Sequence, residues 1–145
     1  QEIDIRSKNE EQLEKELENY DIIFIAGGNT FYLLEKVLES WLDKIIKKLV
    51  EKGVIYFGES AGAVLAGPDI KLVDTLDDPR KAPNLKTFEG LGLVDFITLP
   101  HFANPKYVEK LRKILDKYSK KFKIAPITDY EAIWFEGDKL QKITL

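Results

Sequence analysis

VIYFGESAGAVLAG, residues 54–67, is the stretch on which the reading of this chain turns. Four strand-forming residues, Val54 to Phe57, run into a serine set between Gly58 and Gly62, and a short helical stretch follows from Ala61. A serine in a sharp strand-to-helix turn presents its hydroxyl at the end of a sheet, and flanking glycines relieve the crowding a Cβ would cause there. The same string also fits a plain turn in which Ser60 is only a small residue. The surrounding sequence has to separate the two.

Working outward, apolar runs of strand length alternate with amphipathic helical stretches, the pattern of an α/β fold built on a mainly parallel sheet flanked by helices. Residues 2–6 alternate around Ile3 and Ile5 and predict a strand, after which Ser7 and Glu10 read as a capping box for the helical EEQLEKELENY. Asp21 to Ala26 is apolar after its first residue, as a strand buried on both faces should be, and ends at Gly27-Gly28. Helices are predicted at 30–39 and 41–52, with Gly53 as the C-cap of the second.

Beyond the turn, residues 67–95 are rich in Pro, Gly, Asp and Lys and read as an extended loop, with Asp77, Asp78, Arg80 and Lys81 as a solvated patch. Phe96 to Leu99 is a further strand, closed by Pro100-His101. Asn104 is expected to cap a helix with Pro105 at its first position, running to Lys120 with a wet, lysine-rich face. Lys123 to Ile127 is a fifth strand, and the C-terminal EAIWFEGDKLQKITL predicts an antiparallel hairpin around Gly137-Asp138 at one sheet edge. Residues 1–145 are expected to form a single domain.

Composition narrows the function. The chain carries 22 basic and 25 acidic residues, interspersed, for a net charge of −3, so no basic stripe marks a nucleic-acid or membrane-surface partner. With no cysteine, disulfides and thiolate chemistry are excluded. No apolar run approaches the roughly 20 residues of a membrane span, and QEIDIR does not read as a signal peptide, which predicts a cytoplasmic protein. A chain that begins at Gln1 and contains no methionine is expected to start after the translated beginning.

Gly27-Gly28-Asn29, Ser60, His101 and Asp129 each follow a predicted strand. In a parallel sheet the carboxyl ends of the strands share one edge, where ligands bind, so these four segments are expected to converge. Ser60 needs a base to take its proton, and an imidazole base needs a carboxylate to fix its tautomer. His101, the sole histidine, and Asp129 fit those roles. Glu131 is the nearest rival acid, and Asp129 also suits a turn before the hairpin. An oxyanion would be met by the N–H of Ala61 and by an N–H of the Gly27-Gly28 turn. No metal or organic cofactor is needed for this chemistry.

The motifs GGNTFYLL (27–34), GESAGAVLAGP (58–68) and LPHF (99–102), in this order, resemble the peptidase E family of serine peptidases, which includes aspartyl dipeptidases and, more distantly, cyanophycinases. The resemblance runs from residue 1 to the last strand. It implies a class I glutamine amidotransferase-like fold, with Ser60 as nucleophile, His101 as its base, Gly28 and Ala61 as oxyanion donors, and Asp129 as the third member. A second acid found in some relatives points to Asp74 as a reserve. The activity implied is hydrolysis of short peptides, most simply as a dipeptidase. An esterase or amidase on a non-peptide acyl group, or a silent binding domain of the same fold, are the alternatives.

Two departures from the family pattern stand out. Aspartyl-specific relatives carry an arginine early in the helix after the PHF motif, where this chain has Lys106 and Tyr107, with Arg112 later. Glu59, beside the serine, would disfavour acidic substrates if it turned inward. The family also has a strand, a helix and a second strand upstream that are absent here. An open edge on the Asp21–Ala26 strand predicts self-association, or a second chain that completes the sheet.

Overall fold

The computed structural model describes residues 1–144. Its first element is a 3-10 turn, Ile5–Ser7, instead of the strand predicted for residues 2–6. Asp4 accepts a hydrogen bond from the N–H of Arg6, and this local side-chain bond supplies what a neighbouring strand would otherwise give the backbone. Helix α1 (Glu10–Leu17) starts from Asn9 and not from Ser7. Asn9 accepts from the N–H of Gln12, and the Gln12 side chain accepts from the N–H of Asn9, tying off two donors at the helix start.

Strand β1 (Ile22–Ile25) leads through Gly27-Gly28 into helices α2 (Thr30–Glu39) and α3 (Leu42–Glu51), then strand β2 (Ile55–Gly58) and the short helix α4 (Ala61–Leu65). In α3 the spacing of Leu42, Ile45, Ile46 and Leu49 gives one apolar stripe, all of it buried. Phe31, Leu34 and Val37 of α2 face the same core. Outside, Lys48 of α3 pairs with Glu14 of α1, and Lys52, just past the end of α3, pairs with Glu18, just past the end of α1.

Strands β3 (Phe96–Leu99) and β4 (Lys123–Pro126) flank helix α5 (Val108–Tyr118). Helix α5 begins later than Asn104 predicts. Residues 105–107 form a turn in which the Asn104 carbonyl accepts from the N–H groups of Tyr107 and Val108 and its side-chain Oδ1 accepts from the N–H of Lys106 at 3.0 Å, so Asn104 caps this turn and not the helix.

Two parallel pairs replace the single predicted sheet. β1 pairs with β2, with Phe24 opposite Phe57, and β3 pairs with β4, with Ile97 opposite Ile124. Helix α4 packs against both β2 and β3 and so joins the pairs. All four residues of β3 are buried. β1 is not buried on both faces as its composition predicts: Ile22 and Phe24 are 56% and 54% exposed, and Ile55 and Phe57 of β2 are 43% and 56% exposed. Residues of alternate parity point to opposite faces, so these four form one apolar stripe with no element over it among the described residues.

The loop from 66 to 95 is compact, with 3-10 turns at Lys71–Val73 and Pro79–Lys81 and a bridge between Asp69 and Glu89. It buries Ile70, Leu72, Val73, Ala82 and Leu91. Polar bonds fasten it to α2: Asn29 Nδ2 donates to the Asp78 carbonyl at 3.1 Å, and buried Glu35 accepts from the N–H of Asn84 at 2.7 Å. Strands β5 (Glu131–Glu136) and β6 (Lys139–Thr144) form an antiparallel hairpin that is a sheet of its own and not an edge of the parallel one. Phe135 of the hairpin meets Phe96 edge-on. Among the described residues no helix is long and apolar enough to cross a membrane.

Candidate active site

Parallel pairing brings the carboxyl end of β1 beside that of β2, and the end of β3 beside that of β4. The segments that follow these four strands carry Gly28, Ser60, His101 and Asp129. Ser60 Oγ lies 2.9 Å from His101 Nε2, and His101 Nδ1 lies 2.5 Å from Asp129 Oδ1. Asn104 Nδ2 donates to the other carboxylate oxygen, Oδ2, at 3.0 Å.

The direction of these bonds follows from what each group can do. An ionised carboxylate only accepts, so the proton sits on Nδ1 and leaves Nε2 as the acceptor for the serine hydroxyl. The His101 hydrogen bond, reinforced by Asn104, holds the Asp129 carboxyl below the usual carboxylate range. Asp129 is therefore charged at neutral pH. It can hold the imidazole in one tautomer and stabilise the imidazolium that forms when Ser60 gives up its proton.

Local backbone geometry fixes the serine. Ser60 has φ 50° and ψ −109°, and His101 has φ 65°. Left-handed backbone at non-glycine residues costs on the order of 1–3 kcal/mol each and persists only where the surroundings enforce it. The two flanking glycines supply that enforcement by close approach. A Cβ on Gly62 would lie 2.1 Å from the Ile25 carbonyl oxygen, and one on Gly58 would lie 2.5 Å from the Gly62 carbonyl oxygen. Thus α4 starts directly against the end of β1, with the serine at the bend. Tyr56 fastens the turn from below by donating to the Gly62 carbonyl at 2.7 Å, and burial pushes its phenol up.

A cavity of about 290 Å³ opens onto Ser60 and His101. Gly28, with φ 147°, and Ala61 line it. Ala61 is the first residue of α4, where a backbone N–H has no intrahelical acceptor. Tyr107 also lines the cavity, its ring 5.4 Å from the His101 imidazole.

The other expected residues fall elsewhere. Gly27 packs against Ser60, where a Cβ would meet the serine Cβ at 3.2 Å. Asn29 caps α2 by accepting from the N–H of Tyr32 at 3.0 Å, and it lies off the cavity lining. Glu59 is exposed and is not part of the lining, which removes the ground for repulsion at the serine. Glu131 accepts from the N–H of Thr128 at 2.8 Å and pairs with Lys142, so it serves the turn before β5 and not His101. Asp74 and Arg112 are exposed and outside the cavity.

Asp77 and Asn104 carry more than the sequence suggests. Asp77 is not a solvated loop residue: its Oδ2 accepts from the N–H and hydroxyl of Thr30 at 2.8 and 2.6 Å, and it lines the cavity. The signal for it was the first turn of α2, whose free N–H groups need an acceptor beyond Asn29. For Asn104 the sequence signal covered only half of its role: its Oδ1 caps the turn before α5, and nothing in the sequence marks the donation of its Nδ2 to Asp129. Among the described residues no three acidic or histidine side chains cluster as a metal site.

An α/β scaffold with a hydrogen-bonded serine, histidine and aspartate at strand ends defines a hydrolase-like class, and the comparisons narrow it. The family model for peptidase family S51 matches residues 1–143, and the chain belongs to that family. An uncharacterised peptidase of Listeria monocytogenes is 39% identical over 140 residues, 97% of this chain and 68% of that protein. A peptidase E of Salmonella arizonae is 43% identical over 88 residues, 61% of this chain and 37% of that one. A crystal structure of a candidate peptidase E from Listeria monocytogenes superposes with a TM-score of 0.93 at 37% identity, covering 100% of this chain and 70% of that one. Among these relatives the chain spans about two thirds, or less, of the partner's length.

Proposed function

We propose that this chain is a serine peptidase that hydrolyses short peptides in the manner of a dipeptidase, on a scaffold of the class I glutamine amidotransferase type. The observation that carries the reading is the continuous hydrogen-bonded path from Ser60 Oγ through both ring nitrogens of His101 to Asp129. An inactive domain of this fold is expected to hold Ser60 and His101 apart, and their 2.9 Å contact counts against it.

In the proposed reaction Ser60 Oγ attacks the peptide carbonyl carbon while His101 Nε2 takes the hydroxyl proton. The oxyanion is met by the N–H groups of Ala61 and Gly28. As the C–N bond breaks, His101 passes the proton to the leaving amine, and the acyl group stays on Ser60. Water then attacks the ester, giving a proton to His101, and the acid leaves as Ser60 recovers its proton. The cavity volume, about 290 Å³, lies at the small end of ligand pockets and suits a dipeptide better than a long chain.

The test is hydrolysis of a dipeptide panel by this chain, with Ser60→Ala beside it. Cleavage that falls by about 10³-fold or more in the variant supports the reading. Equal cleavage by both proteins removes Ser60 from the chemistry.

A further inference from the structure

The cavity beside Ser60 is lined by polar groups of Thr30, Ser60, Asp77 and His101 and, over the rest of its wall, by apolar side chains. Val64, Val73 and Leu111, which are 3%, 2% and 0% exposed, and Leu76 and Tyr107 face it together with Pro100. Among the described residues no lysine or arginine lines it, and its one carboxylate is that of Asp77. Lys106 lies outside the lining, with its ammonium 5.0 Å from the centre of the Tyr107 ring.

From this lining we infer that the cavity is a subsite for an aliphatic side chain on the acyl residue of the substrate, the residue whose carbonyl Ser60 would attack. The inference rests on the peptide-hydrolase reading above. The substituent next to the attacked carbonyl is the nearest part of the substrate to a cavity bounded by Ser60, Ala61 and Gly28. A leucine or valine side chain there exchanges water for the accessible apolar surface of Leu76 and Tyr107, which Val64, Val73 and Leu111 back from behind. An aspartate side chain loses its hydration, finds no cation and meets the negative charge of Asp77. Hydrophobic pockets separate substrates by roughly 10–200-fold per methylene group, and an unpaired buried charge widens the margin. Tyr107 is the lining residue best placed to test this preference, since it is partly exposed and its ring lies 5.4 Å from the His101 imidazole.

Binding and turnover separate this inference from the reading it rests on. Leu-Ala, Asp-Ala and Lys-Ala are titrated into the Ser60→Ala protein by calorimetry, and the same peptides are offered to the unaltered chain. The expected result is Leu-Ala binding at least tenfold tighter than Asp-Ala, cleavage in the same order, and a shift of at least tenfold toward Asp-Ala in a folded Tyr107→Arg variant. Tighter binding of Leu-Ala without any cleavage would uphold the subsite and sink the hydrolase reading. Equal or tighter binding of Asp-Ala, or no binding of any of the three peptides, would overturn the subsite whatever the rates. The comparison in the Ser60→Ala protein stands even if Tyr107→Arg does not fold.

Discussion

Asp129 acts at the scale of a single side chain and is held by two donors, His101 Nδ1 and Asn104 Nδ2. Asparagine in its place keeps the size and loses the charge that orients the ring, so Asp129→Asn is expected to lower kcat by about 10⁴-fold with KM little changed. Its stability signature has a definite sign. A carboxyl whose pKa is depressed in the folded state adds stability above its unfolded value, about 4, and loses it as pH falls through the folded value. Urea denaturation should therefore show wild type exceeding Asp129→Asn at neutral pH, with the gap closing in acid. A gap that widens in acid would mean that the carboxyl is not held by these donors. Asp129 was legible from its place after a strand, as were Ser60 and His101. Asn104 was not, because its donation to Asp129 joins residues brought together only by the β3–β4 pairing.

Among the elements, the β2–α4 turn depends on what the two glycines omit. Gly62→Ala forces a methyl group into the Ile25 carbonyl, a rigid backbone neighbour, and overpacking of this kind costs about 1–3 kcal/mol or more. Thermal melting should show the loss, and hydrolysis should fall further than stability alone explains, because α4 must move away from β1. An unchanged melting temperature would show that the turn can relax. The strands after which site residues fall were readable as short apolar runs, although two of them, β1 and β2, leave one face bare. The first predicted strand failed because two alternating isoleucines do not outweigh a local Asp4 bond. The start of α5 failed because Pro105 fits a turn as well as a first helical position.

For the molecule as a whole, the outer stripe of Ile22, Phe24, Ile55 and Phe57 sets its behaviour in water. The Phe24 and Phe57 rings stack at 5.3 Å while more than half of each side chain stays exposed. Replacing both with threonine keeps strand propensity and removes most of the apolar surface, at a cost of about 1 kcal/mol or less per site. Binding of a hydrophobic dye should fall sharply in that variant, and the sedimenting mass should not rise. Undiminished dye binding would place the exposed apolar surface elsewhere, for example on the hairpin. That bare face was not legible, because a run such as IIFI looks the same whether one side or two are covered. The division into two parallel pairs was hidden for a related reason: periodicity describes a strand and says nothing of its neighbours.

The whole chain contains one imidazole, and it is the ring between Ser60 and Asp129. In a nitrogen-15 NMR spectrum of this 145-residue chain every imidazole signal therefore reports on the site, with no assignment needed. A ring protonated on Nδ1 and bare on Nε2 should give two well-separated resonances. A substrate analogue, a changed salt concentration or a substitution far from the site can each be followed through that pair of lines.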